Sequence, residues 1–151
     1  MMKQTFSSFL FFATLFVIVY ISACTKICDA GYQGNHCDVE IRDKFEGVWK
    51  ATDNPGNITY SDTIIESTSS NVLDVLILNT FATKTFNSAI KATIEGNTIT
   101  IERQRPDTSK IELEGVGVFN SDNNSITWTY SLINKSTNPS DSISYTGQWV
   151  K

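Results

Sequence analysis

From Phe45 onward the chain alternates between apolar and polar positions. Phe45, Gly47, Trp49 and Ala51 fall on one face of a first extended segment, and a period near two returns in seven later stretches, the pattern of half-buried strands. The second stretch, 58–67, follows the turn cluster Asp53-Asn54-Pro55-Gly56-Asn57. The third, 72–78, is apolar except at Asp74 and reads as a strand covered on both faces. The fourth, 86–94, points Phe86, Ile90, Ala92 and Ile94 inward and Lys91, Thr93 and Glu95 outward. Gly96-Asn97 then marks a hairpin into the fifth, 98–103, with Ile99 and Ile101 inward. In the sixth, 111–119, Ile111 and Leu113 share one face and Val116 and Val118 the other, so Gly115 predicts a bulge that resets the register. The seventh alternates most cleanly, with Ile126, Trp128, Tyr130 and Leu132 set against Thr127, Thr129 and Ser131. After a loop holding Pro139, the eighth, 143–150, carries Ile143, Tyr145, Gly147 and Trp149 on one face. Residues 39–44 read as a short helical or irregular lead-in.

Eight short strands with hairpin-length connections predict an all-β antiparallel meander. Closing such a sheet removes its edges, so an eight-stranded barrel is the first expectation and a two-sheet sandwich the alternative. Gly47-Val48-Trp49, at the start of the first strand, resembles the Gly-x-Trp signature that opens lipocalin-like barrels. That resemblance implies a tryptophan plugging a closed end and an open end that takes small apolar ligands. The aromatic set Trp49, Trp128, Tyr130, Tyr145 and Trp149 faces inward in this reading, either as core filling or as the lining of a pocket.

The alternating domain, 45–151, follows two other segments. Residues 1–23 hold one charge, Lys3, then an apolar run over 9–21 and two small residues, the build of a secretory signal peptide. The run is short for a permanent span of about 30 Å of hydrocarbon. Its exit, Ile21-Ser22-Ala23-Cys24, resembles the lipobox of bacterial lipoproteins. The resemblance implies a diacylglyceryl thioether on Cys24, cleavage before it and acylation of the new amine, an attachment with enough acyl chains to hold firmly. The alternative is a plain signal peptide cleaved after Ala23.

Residues 24–44 form a linker. Its remaining cysteines, Cys28 and Cys37, lie in a stretch with two glycines that permit tight turns, and an exported chain should oxidise them. Cys28, Gly31, Tyr32, Gly34 and Cys37 resemble the last loop of an epidermal-growth-factor-like module, a remnant of about ten residues lacking the family's other cysteines, with Lys26 where one would stand. The resemblance implies a Cys28–Cys37 disulfide over 28–37. The hairpin reads as a stiff spacer, or else as a recognition knob bearing Tyr32 and His36.

From Cys24 on there are 128 residues, one domain's worth, with 11 basic and 16 acidic side chains. No Lys/Arg cluster exists, which argues against nucleic acid as a partner. His36 is the only histidine, so Ser-His-Asp and Cys-His catalysis have little to build on, and the Cys/His supply is too small for zinc. Glu112 and Glu114 share a strand face near Glu102 and Asp107, a set that could serve glycoside hydrolysis across a cleft but more often marks a solvated face. Three Asn-x-Ser/Thr sites, at Asn57, Asn123 and Asn134, matter only if the chain is a eukaryotic secreted one. No cofactor is expected. The expected protein is non-catalytic and held in the cell envelope by its lipid, the outer membrane first, facing periplasm or exterior. It binds a small apolar molecule or a surface component, or alternatively serves as an accessory module of an envelope complex.

Overall fold

The computed structural model describes residues 27–78 and 80–151. The leader and Cys24 lie outside the described residues. The eight strands form a closed antiparallel barrel: β1 (Gly47–Asn54), β2 (Ile58–Glu66), β3 (Asp74–Leu78), β4 (Ile90–Glu95), β5 (Thr98–Gln104), β6 (Ile111–Asn120), β7 (Ser125–Asn134) and β8 (Asp141–Val150). Each strand pairs with the next, and β8 returns to β1, setting Trp149 opposite Ala51 and Gly147 opposite Asp53. Closure excludes the sandwich and leaves no barrel edge unpaired.

The wall is uneven. The β6–β7 and β7–β8 ladders run ten pairs each, while β2–β3 and β3–β4 run four and β4–β5 three. On the short side the Gln104 side-chain amide extends the sheet, accepting from the Lys91 amide at 3.0 Å and donating to its carbonyl at 2.7 Å.

Four expectations are corrected. Strand β3 is covered on one face only: Val75 and Ile77 are buried, whereas Asp74, Leu76 and Leu78 are partly exposed. Gly115 does not reset β6. Leu113, Gly115, Gly117 and Phe119 stay on the inner face, and Val116 and Val118 point out, 42% and 50% exposed. The extra residue sits on β5 instead: Leu113 pairs Gln104 and Gly115 pairs Ile101, so Glu102 and Arg103 together oppose Glu114. Ile143 is 52% exposed, being at the outer end of β8. The fourth strand starts at Ile90 and not at Phe86, which is buried but lies between it and a two-rung hairpin, Thr80–Phe81 with Lys84–Thr85.

The glycines of β6 make room inside. A Cβ at Gly117 would lie 2.8–2.9 Å from Ile99, Ile126 and Trp128, and one at Gly115 would collide with the Cβ of Tyr130. Large rings on β7 and bare positions on β6 therefore interlock, filling the barrel without a bulge on that strand.

At the pole where β1 begins, a 3-10 turn (Ile41–Lys44) crosses the opening. The Trp49 indole donates to the Phe45 carbonyl at 2.7 Å, and the Lys151 ammonium sits 4.6 Å from the Trp49 ring centroid. Buried Arg42 gathers Glu40, Glu46 and Glu66. The Cys28–Cys37 disulfide is formed, with Cα atoms 5.3 Å apart. Its hairpin pairs Tyr32–Gln33 with Val39–Glu40 and packs Gly31 against Val72 and Leu73 in the β2–β3 turn. The Ile41 amide donates to the Gly31 carbonyl at 2.8 Å. The hairpin is thus seated on the barrel's closed pole.

Candidate functional site

The opposite pole holds the residues whose burial is hardest to explain by packing alone. The alternation of β1 continues past Trp49 and Ala51 to Asp53, which is fully buried. That of β2 places Asp62 inward beside Ile64. Burying a carboxyl group costs several kcal/mol unless donors compensate it.

Asp53 receives its donors on one oxygen. The hydroxyls of Tyr60 and Tyr130 each donate to Oδ2 at 2.6 Å, and the Ala82 amide donates to it at 3.2 Å. Burial, then the bond to Asp53, holds the Tyr60 phenol far above its usual range. Burial, the neighbouring Tyr60 and Asp53 do the same to Tyr130. Both phenols therefore remain donors at any physiological pH. The other oxygen, Oδ1, is buried without a hydrogen-bond partner among the described residues, as are the indole Nε1 atoms of Trp128 and Trp149. Oδ1 fills the space that a Cβ on Gly147 would take. None of the Lys or Arg ion pairs among the described residues involves Asp53.

Asp62 accepts from the Thr63 amide at 2.7 Å and the Thr80 amide at 3.1 Å, and burial pushes its carboxyl up to about 7. The two buried carboxyl groups therefore hold the 80–85 hairpin by its backbone, one at Thr80 and one at Ala82. Ala82 sits in the left-handed region, φ 49°, at the hairpin's tip. This turn drives Phe81 into the barrel, where its ring meets Tyr130 at 4.9 Å, Trp149 at 5.3 Å and Trp128 at 5.6 Å between centroids. Tyr60 stands edge-on to Trp149 at 6.1 Å, and Tyr145 stacks on Tyr130 at 5.2 Å. Trp49, Trp128, Tyr130, Tyr145 and Trp149 are all interior and buried, packed ring against ring.

The acidic set singled out in the sequence is not brought together. Glu114 forms a two-pronged pair with Arg103 at 2.7 and 2.8 Å, Glu112 meets Lys135 at 3.6 Å, and Asp107 meets Lys84 at 3.9 Å. Glu102 is exposed on the β5 bulge. Tyr32 is partly exposed in the linker ladder and His36 is exposed in the disulfide hairpin. Among the described residues no group of three or more His, Cys, Asp or Glu is placed to hold a metal ion, and no helix is long and apolar enough to cross a membrane.

Sequence reasoning stopped short of Asp53, Tyr60 and Asp62. Asp53 begins a turn cluster, where polar residues default to solvent, yet it also continues the Trp49-Ala51 face two residues on. In comparisons with known proteins, no family model, curated protein or solved structure matches the chain.

Proposed function

We propose that this chain is a lipid-anchored protein of the bacterial cell envelope whose barrel binds a small molecule or a surface component and performs no catalysis. The observation that carries the binding role is the buried carboxyl group of Asp53, partnered on one oxygen only among the described residues, with two indole donors of the same barrel interior that likewise find no partner among them. Native interiors seldom leave such groups without a partner, and polar groups converging in a barrel interior are what small-molecule sites are made of. The Ile21-Ser22-Ala23-Cys24 motif supports the anchor, and its attachment through Cys24 fits a barrel carried by a short stapled linker. The engagement of Glu112, Glu114 and Asp107 in separate ion pairs favours a non-catalytic reading.

A second reading, an accessory module of an envelope complex, is favoured by Val116 and Val118 exposed side by side on the outer face of β6. Intact-mass measurement of membrane-fraction protein, with and without Cys24→Ala, tests the anchor. The expected wild-type species begins at Cys24 and carries diacylglyceryl mass that the variant lacks. An unmodified soluble species would remove the anchor. Small-molecule mass spectrometry of a solvent extract of the same protein tests the binding role; it should release a stoichiometric compound that Asp53→Asn protein does not carry.

A further inference from the structure

We infer that the barrel pole opposite the disulfide hairpin is a subsite for a small organic ammonium ion, with the Asp53 carboxyl group as counter-charge and the 80–85 hairpin as a displaceable plug. The inference deepens the binding role proposed above and rests on it.

The charge balance points to a cation. Among the described residues, Asp53 Oδ2 takes three donors, Oδ1 takes none, and none of the Lys or Arg ion pairs involves Asp53. Buried carboxylates are normally accompanied by a positive partner, and a cationic ligand would supply one to this carboxyl group. The rings around it are also suited to one. Tyr60, Phe81, Trp128, Tyr130 and Trp149 pack within 6.1 Å of one another as successive neighbours, and aromatic faces attract an ammonium most when water is excluded. The unpartnered indole N–H groups of Trp128 and Trp149 add donors for an acceptor atom on the same ligand.

The plug is weakly built for something so deeply inserted. Its ladder has two rungs, too short to be stable alone. Its backbone is tied to the barrel by the Thr80 and Ala82 amides on Asp62 and Asp53. Phe81 fills the centre of the aromatic group, so lifting the hairpin vacates one phenyl ring's space beside Asp53. An aryl-alkyl ammonium would replace the Phe81 ring with its own and set its charge at the Asp53 carboxyl group, to which the neighbouring Ala82 amide is bonded.

The test uses the mature chain with its disulfide intact and two probes of matched shape: phenethylammonium, charged at neutral pH, and 2-phenylethanol, neutral. Binding is read by calorimetry and by the emission of the buried tryptophans, on wild type, Phe81→Ala and Asp53→Asn, with thermal melts confirming folding. The charged probe should bind wild type at least about tenfold more tightly than the neutral one. Phe81→Ala, which removes the competing ring, should tighten it by a further tenfold or so. Asp53→Asn should abolish the preference for charge. Equal binding of the two probes by Phe81→Ala protein overturns the ammonium subsite and leaves a neutral-ligand barrel standing. No binding of either probe by wild type or Phe81→Ala overturns the subsite and the binding role together. If Asp53→Asn fails to fold, the charged-to-neutral ratio on Phe81→Ala decides alone.

Discussion

Gly147 offers the sharpest test of how the interior is assembled. Its backbone is not in the left-handed region, so alanine is conformationally acceptable there, and in a strand Gly→Ala ordinarily gains about 0.5–1 kcal/mol. Here the new methyl would collide with Asp53 Oδ1, while its approach to Trp128 Cβ, 3.4 Å, is ordinary contact. The carboxyl group must move, and Oδ2 moves with it, straining bonds from Tyr60, Tyr130 and Ala82. Leaving one of these buried donors without its bond costs about 1–3 kcal/mol, and overpacking adds about 1–3. Gly147→Ala should therefore destabilise the barrel by about 3–4 kcal/mol. In an Asp53→Ala background the methyl enters vacated space, and the same change should be neutral or stabilising. The coupling in a double-mutant cycle is then about 3–4 kcal/mol. Urea unfolding measures it as a midpoint shift of about 1–2 M that disappears in the double variant. Equal destabilisation in both backgrounds would refute the idea that Gly147 exists to seat the carboxyl group.

Asp62 makes a pH-dependent prediction. Its folded-state value is raised to about 7, against about 4 unfolded, so between those values the folded chain holds one more proton. Stability from this group therefore falls as pH rises through that window, by up to about 1.4 kcal/mol per unit, and Asp62→Asn should remove that slope in urea melts at pH 5 and 7.5. Replacing Cys28 and Cys37 by serine opens a ten-residue loop worth about 2.5 kcal/mol of chain entropy. The loss should be local: hydrogen exchange should speed at Ile41, bonded to Gly31, but not along β7 and β8, and uniform loss across the barrel would count against it. Arg42→Ala leaves Glu40, Glu46 and Glu66 facing one another and should cost about 2–4 kcal/mol at pH 7. Its cost should shrink at pH 4, and a cost independent of pH would mean that packing, not charge, is what Arg42 supplies.

The wall of the barrel was legible because a period of two is imposed wherever one face is buried, as in Ile126-Trp128-Tyr130-Leu132. Register between distant strands was not. Nothing local says that β8 returns to β1, yet that pairing is what sets Gly147 against Asp53. Gly115 was misread for a related reason. Within its own strand a glycine suggests a bulge, and only the Tyr130 side chain across the ladder reveals a bare inward position. The site at the pole opposite the disulfide hairpin draws on β1, β2, β7, β8 and the 80–85 hairpin, so each contribution looks like a turn residue or a routine aromatic until the barrel closes.

The seating of the disulfide hairpin bears on how the molecule would stand at a surface. Cys24 precedes Cys28 by four residues, a reach of no more than about 14 Å even fully extended. The ten-residue strands β6–β8 measure about 33 Å along their path, so the leash is shorter than the wall is tall. A barrel acylated at Cys24 could swivel but could not turn over. Its 3-10 turn would be the foot, and the pole bearing Asp53 and Phe81 would face the aqueous side, like a cup fixed upright on a tray.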